Sequence, residues 1–197
     1  MRLGLRITQL IVGLAIYGLG IALMVTAHIG IAPWDIFAQG LSYQLHVSYG
    51  WASAIVSTIV LIAWIPLKVK PGIGTLLNAV GIGLFVDVWS PFLPKFDNLA
   101  LAYVEFVVGM VVVAFATGMY ISSHFGSGPR DGLMVGTQRV LGWPLWLVRT
   151  MYEATVLIIG WLMGGNVGVG TIIFALCIGY LMQLSLKLFG VPVKKRS

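Results

Sequence analysis

The stretch His28-Ile-Gly-Ile-Ala-Pro33-Trp-Asp35-Ile-Phe-Ala-Gln-Gly40 decides how this chain folds, because it occurs twice. The second copy is His124-Phe-Gly-Ser-Gly-Pro129-Arg-Asp131-Gly-Leu-Met-Val-Gly136, with His, Gly, Pro, Asp and Gly in the same order and spacing. The offset is 124 − 28 = 96 residues, and it holds without a gap beyond the motif. Gly13 maps to Gly109, Gly72-Ile-Gly74-Thr75 to Gly168-Val-Gly170-Thr171, and Ala79, Ile82 and Gly83 to Ala175, Ile178 and Gly179. One unit is written twice, at about residues 8–90 and 99–190.

Composition says where these units reside. Of 197 residues, 59% are hydrophobic and only 9% charged, against about 25% charged in a soluble domain. With a mean hydropathy of +0.98, nearly every segment belongs in lipid. A span needs roughly 20 apolar residues, so the expectation is a single membrane domain over 1–197 with the lipid bilayer as its medium. The net charge of +6 is then a matter of loop placement rather than of nucleic acid. The lone Cys177 excludes an internal disulfide and any CxxC site and reads as a small packing residue. The N-terminus has the outline of a signal peptide. Its apolar run, about Ile7 to Ala27, is longer than the usual ~7–15-residue core, and its counterpart lies mid-chain, so the first span is read as structural.

Each motif interrupts a helix. Gly30 suits the left-handed turn that ends a helix, Pro33 the first turn of a new one, and Asp35 the positive end of that helix. The spacing predicts spans over about 8–28, 49–66, 75–89, 99–123, 144–163 and 171–188. Two short helices, ending near Leu45 and Leu141, fall between them. Both are too short to cross a bilayer, so they are re-entrant or interfacial. The expected fold is all-α, with six transmembrane helices and two half-helices.

The basic residues orient it. With the N-terminus inside, Arg2, Arg6, Lys68, Lys70, Arg130, Arg139, Lys187, Lys194, Lys195 and Arg196 fall on the cytoplasmic side and Lys95 outside, as the positive-inside bias requires. Both termini are then cytoplasmic. Three spans per unit is an odd number, so the units insert as inverted repeats, a plan shared by many secondary transporters. Trp51, Trp64, Trp89, Trp143, Trp146 and Trp161 sit near span ends, as in an aromatic belt. Ala79-x-x-x-Gly83 and Ala175-x-x-x-Gly179 read as close helix packing, and such faces make a homodimer an expectation as well.

Ionisable groups inside lipid are the candidate site residues. Glu153 lies about 13 Å beyond Pro144 at ~1.5 Å per residue, and Arg149 is one turn away, so the two pair on one face. They either face a cavity, binding substrate or relaying protons, or lock span five to a neighbour. Their first-unit counterparts are Ser53 and Ser57, so the pair breaks the repeat. Asp35 and Asp131 either cap their helix starts or bind directly. Arg130 adds positive charge where the first unit has Trp34, and helix starts attract anions. His28 and His124 are candidate proton-coupling groups or plain interface residues. Asn78, Gln183 and Tyr180 are lesser polar candidates, while Asp87 and Glu105 are expected to be solvated near the outer surface.

No H-E-x-x-H, G-x-S-x-G, Walker lysine loop or cysteine cluster occurs, so no enzyme, cofactor or metal is expected. ATP-driven transport would need a separate ATPase subunit. The Gly128–Leu133 run Gly-Pro-Arg-Asp-Gly-Leu, the Gly30–Asp35 run Gly-Ile-Ala-Pro-Trp-Asp and the two Gly-x-Gly-Thr stretches resemble the YczE/YitT-type family of bacterial inner-membrane proteins, over about residues 8 to 190. The resemblance implies a bacterial plasma-membrane protein with several spans and carries no site residues with it. The expected function is a small secondary transporter or permease for an unidentified small molecule or lipid, with its site between the repeats. The alternatives are a membrane substrate-binding subunit of an ATP-driven importer and a non-transporting accessory protein.

Overall fold

A computed structural model describes residues 3–94 and 96–191. Arg2, Lys95, Lys194, Lys195 and Arg196, used above for orientation, lie outside the described residues. Among the described residues eight α-helices form: α1 (Leu3–Thr26), α2 (Pro33–Leu45), α3 (Tyr49–Ala63), α4 (Ile73–Trp89), α5 (Leu99–Ile121), α6 (Pro129–Leu141), α7 (Leu145–Leu162) and α8 (Val169–Leu188). A short 3-10 turn, Ser90–Phe92, extends α4, and no strand occurs among the described residues. Most boundaries lie within about two residues of those expected; α1 begins five residues earlier.

Local chemistry sets these ends. Ser48 Oγ accepts from Trp51 N at 3.4 Å to start α3, and Asn98 Oδ1 accepts from Ala100 N at 2.8 Å to start α5, relieving unpaired helix-start donors. α2 and α6 each begin on a proline, where a missing N–H costs nothing. The turn ending α1 departs from expectation. His28, not Gly30, holds the left-handed conformation (φ 52°), and His124 does the same after α5 (φ 59°). Histidine is among the residues that tolerate this region. Gly30 and Gly126 follow at φ 154° and 109°.

Among the described residues five helices, α1, α4 with its 3-10 extension, α5, α7 and α8, are long and apolar enough to cross a bilayer. α3 has 15 residues, about 22 Å of helix at ~1.5 Å per residue, short of a ~30 Å hydrocarbon core. Beyond Ala63 the chain leaves the helix and reaches Lys68 in the left-handed region.

α1 and α5 run antiparallel through the middle of the bundle. Gly13 lies against Tyr120 and Gly20 against Gly109, so numbers rise on one helix as they fall on the other. A side chain at Gly20 would meet Gly109 O, and one at Gly109 would meet Gly20 O, which is how small residues let two backbones touch. α4 packs on α1 and α8 on α5; α2 packs on α7 and α3 on α6. One extensive relation lacks its counterpart. α7 packs along α8, with Gly179 against Trp146 O, whereas α3 and α4 do not pack along each other among the described residues. Ala79 and Gly83 are therefore exposed while Ala175 and Gly179 are buried, so small-residue packing holds for α8 and not for α4. Cys177 faces outward too, and is not the packing residue expected.

Each break is tied to the start of the other unit's last helix. Gly170 N donates to Ile29 O at 3.0 Å, and Gly74 N to Phe125 O at 2.8 Å. Thr171 Oγ1 donates to Ile31 O at 2.7 Å, and Thr75 Oγ1 to Ser127 O at 2.8 Å. The two sets interconvert on adding or subtracting 96. Glycine is needed at the approach, since a Cβ at Gly168 would strike Ile29 O and one at Gly72 would strike Phe125 O. Thr171 and Thr75 are buried, so valine at either position leaves a carbonyl unpaired. Each change is expected to cost about 1–3 kcal/mol, read as a lower melting temperature of the purified protein.

Candidate functional site

The site grows from the second break. Tyr120, in the last turn of α5, is fully buried. Its hydroxyl accepts from Gly128 N at 2.9 Å and donates to Asp131 Oδ2 at 2.5 Å. Pro129 O accepts from Trp64 Nε1 at 3.0 Å. Trp64 is therefore buried and holds α6 in place, rather than joining an aromatic belt. Trp51, Trp143 and Trp161 are exposed, as a belt requires. Asp131 is thus fixed at the start of α6 by a phenol, and its other oxygen, Oδ1, accepts from Arg149 Nη1 at 3.0 Å.

Arg149 and Glu153 pair across one turn of α7 as expected, with Nε 3.4 Å from Oε1. Arg149 is 4% exposed and Glu153 0%; the guanidinium also touches the Met182 sulfur. Tyr17 of α1 packs edge-on against Tyr120, with ring centroids 6.2 Å apart. On the other side of the cluster Arg130 Nη2 donates to Asp35 Oδ1 at 3.0 Å, and its guanidinium lies over the Trp34 ring, 5.6 Å from the centroid. Trp34 and Arg130 are 96 apart, so matching positions of the two units face each other. Glu153 is within electrostatic reach of Arg149, Arg130, Asp131 and Asp35.

This geometry also places the short helices. Gln9 and Thr26 bond to opposite ends of α5, through Ser122 and Glu105, and are separated by about 25 Å of α1 at ~1.5 Å per residue. The breaks follow those two ends, yet Asp35 and Arg130 meet. Both segments therefore turn back into the bundle after their break. Arg130 points inward, toward Asp35, and so is no marker of the cytoplasmic flank.

Several expectations are corrected. Asp35 and Asp131 make no side-chain cap at their helix starts; guanidinium and phenol donors within reach take their oxygens instead. Glu105 is not solvated. It is 5% exposed, with Oε1 against Thr26 Oγ1 at 2.8 Å, because α1 covers that face of α5. His28 and His124 are exposed and do not join the cluster; their backbones make the turns. Asn78 is buried against Gly128 at the start of α6, its Nδ2 unpartnered. Gln183 accepts from Trp146 N at 3.2 Å, Tyr180 is exposed and stacks on Trp146, and Asp87 is exposed as expected.

Tyr120, Tyr17 and Trp64 were not anticipated. Tyr120 and Tyr17 break the repeat as Arg149 and Glu153 do, and more sharply: their counterparts are the apolar Met24 and Val113, where those of Arg149 and Glu153 are serines. A cavity of about 270 Å³ lies elsewhere, between α6 and α7, lined by Thr137, Trp143, Met151 and Tyr152 among others. No residue of the cluster lines it.

The cluster holds two guanidiniums and three carboxyls, a formal 2 − 3 = −1 with every group ionised. It grades from the partly exposed Arg130–Asp35 pair, at 34% and 28%, to the enclosed Glu153. Such an arrangement can hold a cation or a proton at the enclosed end and engage a polar molecule at the open one.

Fold and site together define a multi-pass membrane protein that keeps charged side chains inside its helix bundle. The chain belongs to the family of unknown function DUF6198, which it matches over residues 4–187. It is 37% identical over 193 residues to an uncharacterized protein of Haemophilus influenzae, covering 96% of this chain and 88% of that one. It is 36% identical over 184 residues to the uncharacterized membrane protein YczE of Bacillus subtilis, covering 92% and 86%. It is 28% identical to YyaS of the same organism, covering 85% of each. No solved structure matches it.

Proposed function

We propose that the chain is a small secondary transporter of the bacterial plasma membrane, not an enzyme, whose substrate site lies between two inverted repeats at the Asp35–Arg130 pair. One observation carries this reading. Two interrupted helices from different units turn back to meet at an ion pair, beside an enclosed cluster with one acid in excess. Discontinuous helices converging on a midplane site are the common plan of such transporters. The antiparallel crossing of α1 on its own counterpart α5 supports inversion of the repeats. The unmatched packing of α7 on α8 supports a conformational cycle: two like halves held in unlike arrangements are what alternating access needs.

In this reading α3 and the turn following it make the sixth span and both termini are cytoplasmic. A cysteine at Lys68, in a Cys177→Ser background, is then labelled only after the membrane is opened. Labelling by an impermeant reagent from outside intact cells would overturn the inversion. The substrate is sought by thermal shift of purified protein against a panel of metabolites and ions at two pH values. A ligand at 100 times its Kd adds about 2.7 kcal/mol of stability, and the shift is expected to shrink in Arg130→Gln. A ligand shift unchanged in that variant would move the site elsewhere. Copurification with an ATPase would replace secondary transport by the ATP-driven alternative.

A further inference from the structure

Two hydrogen bonds between side chains tie α1 to α5, one near each end. Gln9 Nε2 donates to Ser122 Oγ at 2.6 Å, and Thr26 Oγ1 lies 2.8 Å from Glu105 Oε1. They are one contact written twice, since 9 + 96 = 105 and 26 + 96 = 122. At the first, the hydrogens are assigned by chemistry. The amide donates, and the Ser122 hydroxyl turns its own hydrogen to Met119 O at 2.8 Å. Gln9 Oε1 stays buried without a partner.

At the second, Thr26 Oγ1 faces three acceptors: Ala22 O at 2.9 Å, Leu23 O at 3.1 Å and Glu105 Oε1. A hydroxyl has one hydrogen to give. Glu105 Oε2 is buried and unpartnered, the same position in the contact as Gln9 Oε1. No cation compensates the carboxyl among the described residues. The charged residues of the two helices packed on α5 are Arg6 and Lys187. Arg6 bonds Ser123 O and His124 O beyond the far end of α5. Ser185, two residues from Lys187, bonds Phe115 O, ten residues from Glu105. The titratable groups left on those elements are Tyr17, which packs on Tyr120, the outward-facing Cys177, the exposed Tyr180, and the exposed His28 just past α1. A bare carboxylate buried in this way is costly. A carboxylic acid has the shape and donor pattern of a carboxamide.

We propose that Glu105 is a proton-binding site, occupied in this conformation and filled from the water at the end where α1 stops. The acid O–H donates to Thr26 Oγ1, Thr26 passes its hydrogen to Ala22 O, and the carbonyl oxygen is left as that of Gln9 is. This site is separate from the Asp131–Arg149–Glu153 cluster: Glu105 and Tyr120 are about 22 Å apart along α5 at ~1.5 Å per residue. Loss of the proton puts a charge between α1 and α5 and loosens their crossing.

The test uses the full chain in detergent, with E105Q, E105A and Q9E, read by infrared difference spectroscopy and by melting temperature. In the difference between wild type and E105Q, the carbonyl band of a protonated carboxyl is expected to be lost. E105Q is expected to keep the melting temperature of wild type, while E105A is lower. Q9E, which repeats the contact at the other end of α1, is expected to gain a second carbonyl band of the same kind. Loss of carboxylate bands in place of the acid band would overturn the proposal. So would an E105Q protein that fails to fold or is no more stable than E105A.

Discussion

Replacing Arg149 with methionine is expected to cost the fold about 3–5 kcal/mol, enough to unfold a large share of the protein. Arg149 touches both Asp131 and Glu153, and all three are nearly or wholly buried. Removing one partner of a buried charge network leaves the others uncompensated, which is worse than never having had the network. Methionine matches the stem and can pack against Met182, so the loss is electrostatic rather than a cavity. The check is the yield and melting temperature of monodisperse protein. A second substitution, Asp131→Asn, is expected to restore part of the loss, because one buried charge fewer then lacks a partner and Tyr120 can still donate. A double variant as unstable as the sum of the singles would show that Arg149 acts through packing alone.

The Glu153→Gln variant is expected to fold and to lose ligand response or transport almost completely. Its carboxyl oxygens accept no hydrogen bond and are held by one ion pair at 3.4 Å, so glutamine fits the space with little rearrangement. It removes the excess acid of the cluster and with it the place where a cation or proton balances the charge. A charged group at this depth is retained against a solvation cost, the usual mark of a working residue in lipid. Reconstituted into vesicles with the ligand found by thermal shift, the variant should show at most a small fraction of wild-type uptake. Full uptake, with unchanged dependence on ion gradients, would reduce Glu153 to a structural partner of Arg149.

Much of this was written in the repeat. The 96-residue offset marked both breaks, the two glycine-threonine starts and the small residues of the α1–α5 crossing. It also marked Arg149 and Glu153 as places where the units differ. What it left out were distances across the bundle. Span-end depth misplaced Glu105, since depth along a helix says nothing of whether a neighbouring helix covers that face; the equivalence with Gln9 was the readable clue. Trp64 at a span end reads as a belt residue until α6 is seen beneath its ring. The capping role for Asp35 and Asp131 follows from local spacing alone. It lost to donors that only tertiary folding brings near.

The reciprocal ties between the breaks and the helix starts impose an order on biosynthesis. Ser127 meets Thr75, made 52 residues earlier, so the second break can close as soon as it emerges from the ribosome. Ile31 must wait for Thr171, 140 residues later. Until α8 is made, Ile29 O and Ile31 O lack the donors that pair them in the folded protein. The last helix thus completes the first.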